Sequence, residues 1–112
     1  MSKITTHVLD TSSGRPAAGI TVTLEREFGD GWQAAGEGRT DADGRLADLM
    51  GADEELSVGA YRLTFDAGSY FAAHSTETFY PQVVVVFRAR GEEHYHVPLL
   101  LSPFGYSTYR GS

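Results

Sequence analysis

HYHVPLLLS, residues 94–102, carries two patterns at once. Successive side chains of a strand point to opposite faces, so Tyr95, Val97, Leu99 and Leu101 form one apolar row while His94, His96, Pro98 and Leu100 form the other. The unbroken apolar row marks the core side of a strand. ITTHVL, residues 4–9, reads the same way, with Ile4, Thr6 and Val8 on one face and Thr5, His7 and Leu9 on the other. His7 and His96 therefore stand on outer faces. Leu9, Pro98 and Leu100 make those faces too apolar to be left in water, and on a small sandwich such a face is most simply covered by another copy of the chain.

Alternation of this kind dominates the 112 residues, punctuated by 13 glycines. Expected strands are Ile4–Leu9, Ile20–Glu27, Trp32–Glu37, Arg45–Asp48, Ala60–Phe65, Gln82–Arg88 and Tyr95–Leu101, with Tyr106–Arg110 as an eighth. Turn signals separate them: SSGRP at Ser12–Pro16, FGDG at Phe28–Gly31, TDADG at Thr40–Gly44 and RGEE at Arg90–Glu93. Short strands in this number point to an all-β fold of two packed sheets. AGSYFAAH, Ala67–His74, breaks the rhythm and suits a helix of about two turns. The length corresponds to a single domain, residues 1–112, able to bury about 65% of the surface its unfolded chain exposes.

Composition narrows the function classes. There is no cysteine, so no disulfide, thiolate ligand or cysteine nucleophile is available. A net charge of -6 disfavours nucleic acid and anionic membranes. All the basic side chains except Lys3 are arginine, the residue suited to planar, bidentate recognition. MSKITTHVLD has no apolar run of a signal peptide, and the longest apolar run, Val83–Phe87, is far too short to span a bilayer. A cytoplasmic protein is expected.

Several chemistries can be weighed on spacing. His94 and His96, two apart, could offer two imidazoles to zinc with His7 as a third, but no carboxylate is placed in sequence to orient them. Asp41-Ala42-Asp43-Gly44 opens like a calcium loop, yet Arg45 and Ala52 fall where ligands belong, so it reads as a turn. No GxSxG elbow presents a serine. Histidine with arginine fits metal-free chemistry better: a neutral imidazole can take a proton from water attacking a carbonyl, and a guanidinium can steady the oxyanion. His7, His96, Arg45 and Arg110 supply those parts. The terminal YSTYRGS, residues 106–112, with two rings and a guanidinium, is built to dock rather than fray.

TTHVLDTSSGRPAAG near the start, TDADGR in the middle, and FYPQVVVVF followed by HYHVPLLLSPFGYSTYRGS at the end together resemble the 5-hydroxyisourate hydrolase family, the transthyretin-like enzymes of urate degradation. The resemblance implies a transthyretin-like (prealbumin-like) β-sandwich of two four-stranded sheets with one short helix, assembled as a homotetramer, a dimer of dimers with sites at the dimer–dimer interface. It implies hydrolysis of 5-hydroxyisourate to 2-oxo-4-hydroxy-4-carboxy-5-ureidoimidazoline, without metal or cofactor. The family's catalytic set falls on His7, Arg45, His96 and the terminal Tyr109-Arg110-Gly111-Ser112. His7, Arg45, Tyr109 and Arg110 are implied to bind substrate, and Ser112 to complete the catalytic wall. His94 lies outside that set and reads as an exposed strand residue. The alternative is a transthyretin-like carrier of a small ligand without catalysis, on the same scaffold. A passive interaction module attached to larger proteins would bring linkers and no histidine–arginine cluster, the opposite of what stands here.

Overall fold

A computed structural model describes residues 3–51, 54–91 and 93–112. Ala52, the would-be calcium ligand position, and Glu92 of the expected RGEE turn lie outside the described residues. The elements in chain order are β1 (Ile4–Asp10), β2 (Arg15–Pro16), β3 (Thr21–Phe28), β4 (Gly31–Arg39), β5 (Arg45–Leu46), β6 (Gly59–Phe65), α1 (Ala67–Ala73), β7 (Val83–Ala89), β8 (Tyr95–Ser102) and β9 (Gly105–Thr108). They form the expected sandwich with its one helix. One sheet runs β4-β3-β6-β7, and the other runs β2-β1-β8-β9 with β5 also paired to β1. That second sheet has five strands where four were expected. The addition is β2, two residues folded back from the SSGRP turn onto Leu9 and Asp10. Among the described residues no helix is long and apolar enough to cross a membrane.

The outer-versus-inner assignment holds. Ile4, Val8, Leu99 and Leu101 are buried, and they meet Val22, Leu24, Leu63 and Phe65 of the opposite sheet. Thr6 shares the core face because its hydroxyl donates to Val97 O at 2.6 Å, so its own buried oxygen is paired. β1 and β8 pair in parallel over seven positions, with Thr5 opposite His96 and His7 opposite Pro98. Residues at the two ends of the chain thereby share one outer face.

α1 forms where the sequence leaves strand alternation. Asp66 caps it by accepting from Ser69 N at 3.2 Å, and Ala67, Tyr70 and Phe71 recur at helical spacing on its buried side. The helix is fastened to β1 by one bond, Tyr70 Oη donating to Asp10 Oδ2 at 2.8 Å. Burial alone would push the Asp10 carboxyl up, but hydrogen bonds from Ser12, Tyr70 and the Ser13 amide outweigh it and hold it below its ordinary 3.8. Burial and the Asp10 carboxylate push the Tyr70 hydroxyl up to about 12, so it stays a donor at all physiological pH.

Tyr70→Phe should therefore cost about 1.5–3 kcal/mol in urea unfolding at neutral pH, the range for a hydrogen bond to a charged group. The lowered Asp10 value means its contribution is full above 3.8 and is lost as pH falls through the depressed folded-state value. The gap between wild type and variant should close in that acid range. A gap that stays constant down to it would show that the bond is not what holds helix to strand.

Candidate active site

The TDADG turn builds one side of the site. Asp41 Oδ1 accepts from Asp43 N at 2.8 Å and from Arg45 N at 3.0 Å, so the carboxylate is spent on shaping its own turn. Gly44 has φ +74, and a Cβ there would sit 2.4 Å from Val8 O. Only glycine allows this approach, which lets Val8 N reach Gly44 O at 2.8 Å and lays β5 against β1. His7 and Arg45 become paired neighbours on the outer face, while Leu46, opposite Thr6, turns into the core. The same turn orients His7: its Nε2 lies 3.1 Å from Asp43 O. A carbonyl only accepts, so Nε2 carries the proton and the neutral ring's bare nitrogen is Nδ1.

β8 and the chain's end build the other side. His96, opposite Thr5, points Nδ1 at Thr5 Oγ1 at 2.8 Å, and His94 Nε2 reaches the same oxygen at 3.2 Å. The tail continues the β8–β9 ladder as far as a bridge between His96 and Gly111, with Gly111 N donating to His96 O at 2.8 Å. A Cβ on Gly111 would sit 2.6 Å from His96 Cδ2 and 3.2 Å from Pro98 Cγ, so the backbone lies directly over the imidazole. Ser112 follows at the wall of a cavity of about 250 Å³ lined also by Thr5, Arg45, His94 and His96.

Burial and the neighbouring His7, His94 and Arg45 all disfavour charge on His96 and lower its pKa below 6.5. Arg45, His94 and His96 share the cavity wall and, with His7 beside it, are linked electrostatically, which is what separates a cluster from residues that happen to share a face. Among the described residues no group of three or more His, Cys, Asp or Glu side chains could hold a metal ion.

Of the residues singled out in the sequence, Arg45, His96 and Ser112 line this cavity, and His7 stands beside it through its pairing with Arg45. Tyr109 and Arg110 do not. Within one protomer they flank a second cleft of about 210 Å³ with Val85, Phe87 and Tyr95. The Arg110 guanidinium lies 4.7 Å above the Tyr95 ring centroid and 3.5 Å from Glu93 Oε1. His94 is exposed, as expected, yet it belongs to the cavity wall through Thr5. Its H-x-H spacing was the available signal; Thr5 carried none beyond sharing the His7 face.

Proton titration followed by nuclear magnetic resonance should place His96 below 6.5, and Arg45→Met should move it upward, because the substitution removes a cation that opposes imidazolium. An unmoved His96 would mean that Arg45 and His96 are not electrostatic neighbours.

Comparison with known proteins follows this geometry. The 5-hydroxyisourate hydrolase of Caulobacter vibrioides is 50% identical over 117 residues, covering 100% of both chains. The structure of Klebsiella pneumoniae 5-hydroxyisourate hydrolase is similar at TM-score 0.84 and 40% identity, covering 100% of this chain and 94% of that one. Transthyretin from Sparus aurata is similar at TM-score 0.91 and 32% identity, covering 99% and 97%. A sequence model described as the HIUase/Transthyretin family matches residues 4–111, and the chain belongs to that family.

Proposed function

We propose that this chain is a 5-hydroxyisourate hydrolase, adding water to a ring amide carbonyl and opening the ring to 2-oxo-4-hydroxy-4-carboxy-5-ureidoimidazoline, as one domain over residues 1–112. The observation that carries the reading is the convergence of His7, Arg45, His96 and Ser112 from three separate stretches of chain onto one outer face. His7 serves as general base to the attacking water through its bare Nδ1. Arg45 holds the planar substrate and steadies the oxyanion, a role its fixed charge suits at any working pH. His96 faces the carbonyl side, and Ser112 closes the wall. Water loses one proton to His7, its oxygen joins the carbonyl carbon, and the carbon–nitrogen bond breaks as that proton passes to the leaving nitrogen.

The fold by itself does not choose between hydrolase and carrier, since the transthyretin structure is matched with the higher TM-score. Sequence identity supports the enzyme, at 50% to a named hydrolase against 32% to transthyretin, and His94, His96 and Arg45 at the cavity wall bring the imidazole and guanidinium groups that carbonyl hydrolysis calls for.

A homotetramer working in the cytoplasm belongs to the same proposal. The cavity of about 250 Å³ is below the roughly 300–1,000 Å³ usual for small-molecule sites, the size expected of part of a site. Leu9 and Leu100 remain half-buried beside it on an outer face that a second copy would cover. A partner subunit's tail is then the route by which Tyr109 and Arg110 could reach substrate.

The test follows the ultraviolet absorbance of freshly generated 5-hydroxyisourate. The intact chain should accelerate its decay. His7→Ala and His96→Ala should each lose about 10²–10⁴-fold in kcat, the usual share of acid–base groups, with the fold retained by circular dichroism. Deleting residues 109–112 should abolish activity, and sedimentation should give four copies. An intact protein that leaves the decay rate unchanged would sink the hydrolase reading.

A further inference from the structure

We propose that Thr5 and His94 are positioning residues that set the tautomer of His96: His94 Nε2–H donates to Thr5 Oγ1, the Thr5 hydroxyl donates to His96 Nδ1, and His96 presents Nε2–H to the cavity. The assignment begins with hydrogen-bond capacity. A threonine hydroxyl has one proton and two lone pairs. Two ring nitrogens approach Oγ1, at 2.8 Å from His96 and 3.2 Å from His94. One proton cannot serve both, so one ring must be the donor. Hydroxyl donors make bonds about 0.2 Å shorter than ring or amide N–H donors. The shorter contact is therefore the hydroxyl's own, which makes His96 Nδ1 the acceptor and His94 Nε2–H the donor.

Thr5 is suited to the task. It is 5% exposed, so bulk water does not compete for its hydroxyl. Its branched Cβ restricts χ1, and its pairing opposite His96 in the parallel ladder fixes the distance. Burial, with the surrounding His7, His94 and Arg45, disfavours the charged form of His96. A neutral ring has a single proton, so its location decides what the ring can do.

The consequence rests on the hydrolase reading, although the geometry does not. His7 has its Nε2–H committed to Asp43 O and offers a bare Nδ1, while His96 has its Nδ1 committed to Thr5 and offers Nε2–H. The two histidines are set in opposite senses, one an acceptor for the proton of water and the other a donor to the oxygen on which charge develops. A neutral imidazole can polarise a carbonyl in this way without surrendering its proton. His94, outside the catalytic set in the sequence, acts through Thr5 and touches no reacting atom.

The experiment has two readouts. Long-range ¹H–¹⁵N spectra of the labelled, ligand-free protein should show His96 protonated at Nε2 in the wild type and in Thr5→Ser, and as a tautomer mixture in Thr5→Val. With 5-hydroxyisourate, Thr5→Val should lose at least about tenfold in kcat while KM changes less than about twofold, and Thr5→Ser should recover most of the loss. His94→Gln, whose amide still donates, should keep the native His96 signal, and His94→Leu should not. Wild-type His96 protonated at Nδ1 would overturn the proposal even if no variant folded, as would a folded Thr5→Val with full kcat. A wild type with the expected tautomer and no hydrolysis would overturn the hydrolase reading and leave the Thr5–His94 assignment standing.

Discussion

The parallel pairing of β1 with β8 is the constraint on which both core and site depend. It joins residues such as Thr5 and His96 that are 91 positions apart, and β2 to β7 with α1 lie between these strands in sequence. Because side chains alternate faces, slipping this register by one residue would carry His7 and His96 toward the core and expose Ile4, Val8 and Leu99. Burial of four or more large apolar side chains at about 1.5–3 kcal/mol each forbids that slip. The energy that fixes the inner face thus places the outer one. No side chain of the outer face has to contribute to stability for that face to be held in shape.

Those two strands were also the most legible part of the sequence. Their alternation identified the core rows, the outer histidines and the sandwich without any tertiary information, and the break at Ala67–His74 located α1 to within a residue. Short elements were harder. Arg45–Asp48 was expected as a strand, but only Arg45 and Leu46 pair with β1, since the segment then leaves the sheet. β2 was hidden inside a turn signal because two residues show no periodicity. The expected terminal strand ends at Thr108 as a regular element and continues only as a single bridge at Gly111. Within the site, His7, Arg45 and His96 could be named from residue type and resemblance. Thr5 and the Asp43 carbonyl could not, because their part is defined by which distant ring nitrogen they meet.

Electrostatics explains why three imidazoles crowd one guanidinium in a protein of net charge -6. An acidic field favours imidazolium in general. Burial of His96, then the neighbouring His7, His94 and Arg45, oppose that locally and lower its pKa. Arg45 therefore adds, beside His96, a charge that opposes imidazolium formation there. Asp43, two residues before Arg45, meets the cluster through its backbone carbonyl, which lies 3.1 Å from His7 Nε2.

The tail completes the site by being tied down on two sides. Gly111 has no Cβ, so its backbone can lie against the His96 ring and donate to the His96 carbonyl, and Ser112 is delivered to the cavity wall. One residue earlier, Arg110 covers the ring of buried Tyr95 at 4.7 Å. Its ion pair with Glu93 is long and exposed at both partners, and such pairs contribute little, about 0–1 kcal/mol. The cation–π contact with a desolvated ring is the firmer of the two, at about 1–2 kcal/mol. Ordering the last residues costs a comparable amount for each, so Arg110 and the Gly111 bridge together offset only part of it within one protomer.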